Sequence, residues 1–174
     1  MTATRNKDYM TAGERAGEVF GIFFILLAIA FFAYHAVANT GFFASNFGLL
    51  EAFLFFTAGV VSLFAPMVRI ITGRRSKARW FELGSAVLWS ITSIWFLIVF
   101  PFNFEYLAVP LPSYLQFTLS WITNDIGRII LLLSAIGGVA TTIYLSVRIA
   151  IERSSNQRYR YQPAETREKP SVGA

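Results

Sequence analysis

The chain contains no cysteine. Disulfides, thiolate metal sites, iron–sulfur clusters and cysteine nucleophiles are therefore excluded. It has one histidine, His35, which excludes haem held by two histidines of one chain and zinc sites built from several histidines. Charge is scarce as well. Lys, Arg, Asp and Glu make up 14% of the 174 residues, against 55% apolar residues and a mean hydropathy of +0.54. A soluble domain of this size has too much surface to carry so few charges. Intrinsic disorder is excluded by the same hydrophobicity. Dinucleotide-binding, P-loop, zinc-protease and serine-hydrolase motifs are all missing. Gly137–Gly138 lies inside an apolar helical run with no nucleotide-binding context.

What is present is long apolar runs. A helix needs about 20 such residues to cross a hydrocarbon core of roughly 30 Å. Four segments qualify, at about 19–38, 49–71, 80–100 and 126–151. The runs are continuous and lack the apolar–polar alternation of barrel strands. The expected fold is all-α: a polytopic membrane protein with a four-transmembrane-helix bundle and a short outer interfacial helix. Residues 1–153 form the transmembrane domain, and residues 154–174 form a flexible cytoplasmic tail. A competing reading of the first run is a signal peptide, with Ala36 and Ala38 as its cleavage pattern. Its length and the acidic residues Asp8, Glu14 and Glu18 before it favour a retained span.

The basic residues are sorted by segment. Fourteen of the 15 lie before the first span, from the end of the second span to the start of the third, or at and beyond the end of the fourth. The connections 39–48 and 101–125 have none, and Arg128 is the exception. By the positive-inside rule this predicts a multi-pass cell-membrane protein with both termini cytoplasmic. The loop GRRSKARW is too short for a nucleic-acid module, so no nucleic-acid partner is expected and anionic lipid is the simpler contact.

Pro101, Pro110 and Pro112 interrupt any helix through the third connection. Residues 113–123 place Tyr114, Phe117 and Trp121 at helical spacing, as expected of an interfacial helix. A re-entrant segment and the first turns of a kinked fourth helix are the alternatives. Asn124 is the expected cap of the fourth helix, with Asp125 in its first turn. Small residues such as Ser134, Gly138 and Thr142 mark packing faces, or alternatively leave room for a ligand or lipid. Pro66 is expected to kink the second span. Arg69 and Glu82 lie at the cytoplasmic end on neighbouring helices, able either to pair or to snorkel.

Ionisable residues at membrane depth are costly and mark candidate sites. His35, Glu51, Glu105, Asp125 and Arg128 all fall at the outer end. Arg128 sits just inside a helix N-terminus, where the dipole disfavours a cation. An ion pair with Asp125 or Glu51 would offset this. An anion, substrate or ion-path contact is the functional reading. His35 either bonds water, Asn39 or Glu51, or joins the carboxylates in a mixed metal site. The leading functional reading is a non-catalytic small membrane protein, a structural or accessory subunit of a homo-oligomer or larger membrane complex. A small transporter or channel using the outer charged cluster is the alternative. A metal- or quinone-binding membrane enzyme subunit is a second one. The residues name no cofactor.

Overall fold

Thr11 and Glu14 decide where the first helix begins. In the computed structural model, which describes residues 8–160, the Thr11 hydroxyl accepts from the Glu14 amide at 3.3 Å. The Glu14 carboxylate accepts from the Thr11 amide at 2.9 Å. This reciprocal cap satisfies two otherwise orphaned donors, and α1 (Ala12–Val37) starts there, well before the apolar run.

The second span is two helices, α2 (Leu49–Ser62) and α3 (Phe64–Thr72), joined at Leu63. Pro66 explains the break: it has no N–H for the Ser62 carbonyl, and its ring crowds that carbonyl. The expected distortion of this span is therefore present. Helix α4 (Arg75–Val99) and helix α5 (Asn124–Arg160) complete the set. Among the described residues, four helical segments are long and apolar enough to cross a membrane: Ala12–Val37, Leu49–Thr72, Arg75–Val99 and Asn124–Ser154. Helix α5 continues through the start of the expected tail to Arg160. Residues 161–174 lie outside the described residues.

The two basic-poor connections meet at one end of the bundle, here the loop end. Phe43 and Phe102 form an antiparallel bridge, the Asn103 amide donates to the Phe42 carbonyl at 2.6 Å, and the Ala44 amide to Pro101 at 3.1 Å. Over these backbone bonds sits an aromatic core. Phe42, Phe96, Phe102 and Leu107 are buried, with Phe32, Phe55 and Phe104 against them. Several of the rings meet edge to face, as in Phe96–Phe102 at 5.1 Å and 81°, and others are tilted, as in Phe42–Phe102 at 5.5 Å and 35°. Such contacts add about 0.5–1.5 kcal/mol each beyond burial. Much of the phenylalanine thus builds an internal core, while Phe20, Phe23 and Phe24 are exposed along α1.

The short outer helical element takes the form of a 3-10 turn, Gln116–Thr118, within a run of i→i+3 turns from 112 to 122. Its polar side chains turn back on the backbone. The Thr118 hydroxyl donates to Leu115 at 2.7 Å, and Gln116 Nε2 to Leu111 at 3.1 Å. These local bonds compete with a continuous helix. A second 3-10 turn spans Phe104–Tyr106. Asn124 does not cap α5. Its Oδ1 accepts from the Phe104 amide at 2.8 Å, and Thr123 takes the cap, accepting from the Ile126 amide.

At the opposite, basic end, Gly73 ends α3 in the left-handed region at φ 64°, and its carbonyl accepts from Met10 at 3.0 Å. The Asp8 carboxylate then caps α4, accepting from the Ser76 amide at 2.9 Å and its hydroxyl at 2.8 Å. The chain before α1 is thereby tied to the α3–α4 turn.

Helix α1 packs on α2 and α3, these pack on α4, and α4 packs most extensively on α5. No α-carbons of α1 and α5 come within 8 Å. The bundle therefore has a seam between its first and last helices, along which their backbones do not approach closely.

Candidate functional site

Among the described residues, no hydrogen bond or ion pair joins His35, Glu51, Glu105, Asp125 and Arg128 to one another. His35 is buried, 1% exposed, between the rings of Phe31 at 4.9 Å and Phe42 at 4.8 Å. Its Nε2 lies 3.3 Å from the Leu107 carbonyl, which only accepts, so Nε2 carries a hydrogen. Its Nδ1 pairs with the Thr40 hydroxyl. Both ring nitrogens are thus engaged, and their partners are Thr40 and Leu107, not Asn39 or Glu51. The ring pins α1 to both loop-end connections.

Glu51 is also buried. One oxygen accepts from the Gly48 amide at 2.9 Å, closing the N-terminus of α2. The other accepts from Trp95 Nε1 of α4 at 3.2 Å. This carboxylate caps one helix and crosses to another. Glu105 and Asp125 are exposed, on the Phe104–Tyr106 turn and the first turn of α5.

Among the described residues, no carboxylate lies within 4.0 Å of the Arg128 guanidinium, so the expected ion pair with Asp125 or Glu51 is not formed. Arg128 instead stacks over Phe100, with its Cζ 4.6 Å from the ring centroid. Phe100 ends α4 at φ 43°, and the cation on α5 covers that turn. Among the described residues, no three His, Asp or Glu side chains gather as a metal site. The His35–carboxylate metal reading is therefore not supported by the geometry.

A different constellation sits at the basic end. Arg69 of α3 is held between Glu18 of α1, at 2.9 Å, and Glu82 of α4, which it also pairs with. The Arg69–Glu82 pair was legible from depth. Glu18 was the missed member, although it stands at the basic edge of the first span. Around the triad lie the Arg75–Glu14 pair and the Arg79–Glu152 pair, the latter joined by Arg148 at 3.8 Å.

The triad forms the boundary between two hollows. Toward the basic surface is a charged vestibule of about 430 Å³ that includes Arg75, Arg79 and Arg148 in its walls. Toward the membrane interior is a groove of about 720 Å³, walled by all four spans and dominated by small side chains such as Gly21, Ala65, Ser85 and Gly137. The groove reaches Ile25 and Trp89. Those two residues also line a deeper apolar pocket of about 190 Å³, closed by Phe32, Phe55 and Phe96. The buried Thr92 hydroxyl lines this pocket without a hydrogen-bond partner among the described residues.

The chain matches no protein-family model, no curated protein and no solved structure.

Proposed function

We propose that the protein is a non-catalytic integral membrane protein acting as a structural or accessory subunit, in a homo-oligomer or a larger membrane complex. The observation that carries this reading is α1. Its most apolar eighteen-residue window contains no buried residue, although the helix is apolar on every side. A helix apolar all round belongs against lipid or against other helices, and this one leaves Phe20, Phe23, Phe24 and Leu27 more than half exposed. The two buried ionisable groups of the loop end, His35 and Glu51, serve internal hydrogen bonds, which suits a structural role.

The orientation that goes with this reading places both termini in the cytoplasm, because the basic residues collect at the end that carries them. A transport role draws less support, since the groove stops against the packed rings of Phe32, Phe55 and Phe96.

The absence of native cysteine makes both points testable with single substitutions. Phe20→Cys, Phe24→Cys and Leu27→Cys are expected to cross-link between copies or to another subunit in native membranes. Native mass spectrometry of protein in lipid discs is expected to show a multimer or a defined complex. A monomer that cross-links at none of these positions overturns the reading. For orientation, Lys77→Cys should resist an impermeant thiol reagent in intact cells and Ser113→Cys should react with it.

A further inference from the structure

The vestibule, the groove and the deep pocket are three parts of one amphipathic path. Vestibule and groove share Glu18, Arg69 and Glu82; groove and deep pocket share Ile25 and Trp89. On α1 the path runs from Glu18 to Phe32, about 21 Å at 1.5 Å per residue. Half of a roughly 30 Å hydrocarbon core is about 15 Å. The path therefore starts at one interface and passes the midplane. Its polar end is guanidinium-rich and its far end is almost wholly apolar. Its deepest part, about 190 Å³, is the smallest of the three, and α1 and α5, which both wall the groove, have no α-carbons within 8 Å of each other along their seam. A hydrocarbon chain can enter by that seam without unfolding anything.

We propose that this path holds a hydrocarbon chain of an acidic, phosphate-headed membrane lipid, with the headgroup in the vestibule over Arg75, Arg79 and Arg148. The proposal does not depend on the subunit role. Charge complementarity selects the headgroup. Among residues 8–154 the basic end carries eight cations (Arg15, Arg69, Arg74, Arg75, Lys77, Arg79, Arg148 and Arg153) against five carboxylates (Asp8, Glu14, Glu18, Glu82 and Glu152). The vestibule itself is walled by four arginines and three glutamates. Arg75 and Arg148 are half-exposed, and Arg148 reaches Glu152 only at 3.8 Å, so both have donors to offer a phosphate. Arg69 Nε is a buried donor at the mouth of the groove. It lies close to Glu18 but is not aligned to hydrogen-bond with it. Basic pockets between helices recognise acidic headgroups in this way. A neutral headgroup would leave the excess guanidinium charge uncompensated.

The glycines supply a test that spares the fold. A β-carbon at Gly21 or Gly137 meets nothing within 4 Å, and both line the groove. Gly84 is equally open and is absent from the walls of all three hollows. Leucine at these sites fills space and favours helix. Protein reconstituted in phosphatidylcholine vesicles with and without phosphatidylglycerol is extracted mildly and weighed by native mass spectrometry. Wild type and Gly84→Leu are expected to retain phosphatidylglycerol in preference to phosphatidylcholine. The Gly21→Leu/Gly137→Leu double variant is expected to lose it. Arg148→Gln is expected to retain it about tenfold more weakly, the loss of one charge-assisted hydrogen bond. Equal retention of both lipids, or retention by the filled variant equal to wild type, overturns the proposal. So does a filled variant that breaks an oligomer while its lipid is unchanged, which would assign the groove to a second copy. Circular dichroism of each variant confirms that helix content is preserved.

Discussion

Gly138 on α5 meets Ser90 on α4 at backbone distance. A β-carbon on Gly138 would stand 3.2 Å from the Ser90 α-carbon and 2.6 Å from its hydroxyl oxygen. The small-residue series on the last span is thus the contact that lets the two most extensively packed helices approach. Gly138→Leu should force them apart, at a cost of about 1–3 kcal/mol for overpacking, less up to ~1 kcal/mol of helix propensity. Gly137→Leu, one residue earlier and facing open space, should show no loss. Unfolding of the two variants in lipid discs, followed by tryptophan fluorescence, checks this. Equal behaviour of the two would refute the contact.

Arg128 should couple energetically to a ring and not to an acid. A cation over an aromatic face is worth about 0.5–1 kcal/mol at an exposed site, and Arg128 is exposed above Phe100. A double-mutant cycle of Arg128→Gln with Phe100→Leu should return a coupling of that size. Cycles with Asp125→Asn and Glu51→Gln should return close to none. A larger coupling to either acid would restore the ion-pair reading.

Glu51→Ala should be the most damaging single change among the outer polar residues. It strands two donors, the Gly48 amide and Trp95 Nε1, and a buried unpaired group costs about 1–3 kcal/mol. Glu51→Gln keeps one carbonyl oxygen and should recover part of the loss. The diagnostic readout is hydrogen exchange at the start of α2, which should quicken in the alanine variant while the basic end is unchanged.

These particulars also show which features were legible in the chain. The four spans were, because a run of about 20 apolar residues carries its own meaning in a bilayer. Pro66 and the Arg69–Glu82 pair were too, since a missing N–H and a matched depth follow from position alone. The partners of His35 were not. One is a backbone carbonyl 72 residues away, and every residue has such a carbonyl. The role of Glu51 was half-visible, because an acid in the first turn of a helix suits the dipole, but Trp95 enters only through the crossing of α2 and α4. The partner of Arg128 was not legible: Asp125 three residues earlier and Glu51 at matching depth are the acids that position offers, whereas Phe100 meets it only because α5 emerges beside the end of α4. The groove was half-legible, because small residues such as Gly21, Ser134 and Gly138 line it but suit helix packing equally well. It exists because α1 and α5 fail to close, a property of the packing order.

Thr92→Val should stabilise the protein. The hydroxyl is buried in the apolar pocket and has no partner among the described residues, whereas Ser90 nearby bonds back to the Ala86 carbonyl at 2.7 Å. An unsatisfied buried hydroxyl costs about 1–3 kcal/mol, and a methyl of similar shape removes that penalty. The expected gain is about 1 kcal/mol in the same unfolding assay, with Thr92→Ser giving none. A loss of stability in the valine variant would mean that the hydroxyl is satisfied in the membrane.

Acid should loosen the tie between the chain before α1 and the α3–α4 turn. The Asp8 carboxyl lies below its ordinary range. Burial alone would raise it, but the two bonds from Ser76, with Arg74 and Arg79 nearby, outweigh burial. A carboxyl whose folded value is lowered contributes stability that is fully present above its unfolded value, about 3.9. That contribution is lost as pH falls through the lower folded value. Hydrogen exchange at the Ser76 amide, corrected for intrinsic rate, should therefore stay slow at neutral pH and quicken below that point. Asp8→Asn keeps an oxygen acceptor for the same amide. Its protection should be lower than wild type at neutral pH, because a neutral amide oxygen accepts more weakly than a carboxylate, and should no longer change on acidification. Asp8→Ala should lose protection at every pH, with about 1 kcal/mol of capping removed. Protection of the Ser76 amide in Asp8→Ala equal to wild type at neutral pH would show that Asp8 does not cap α4.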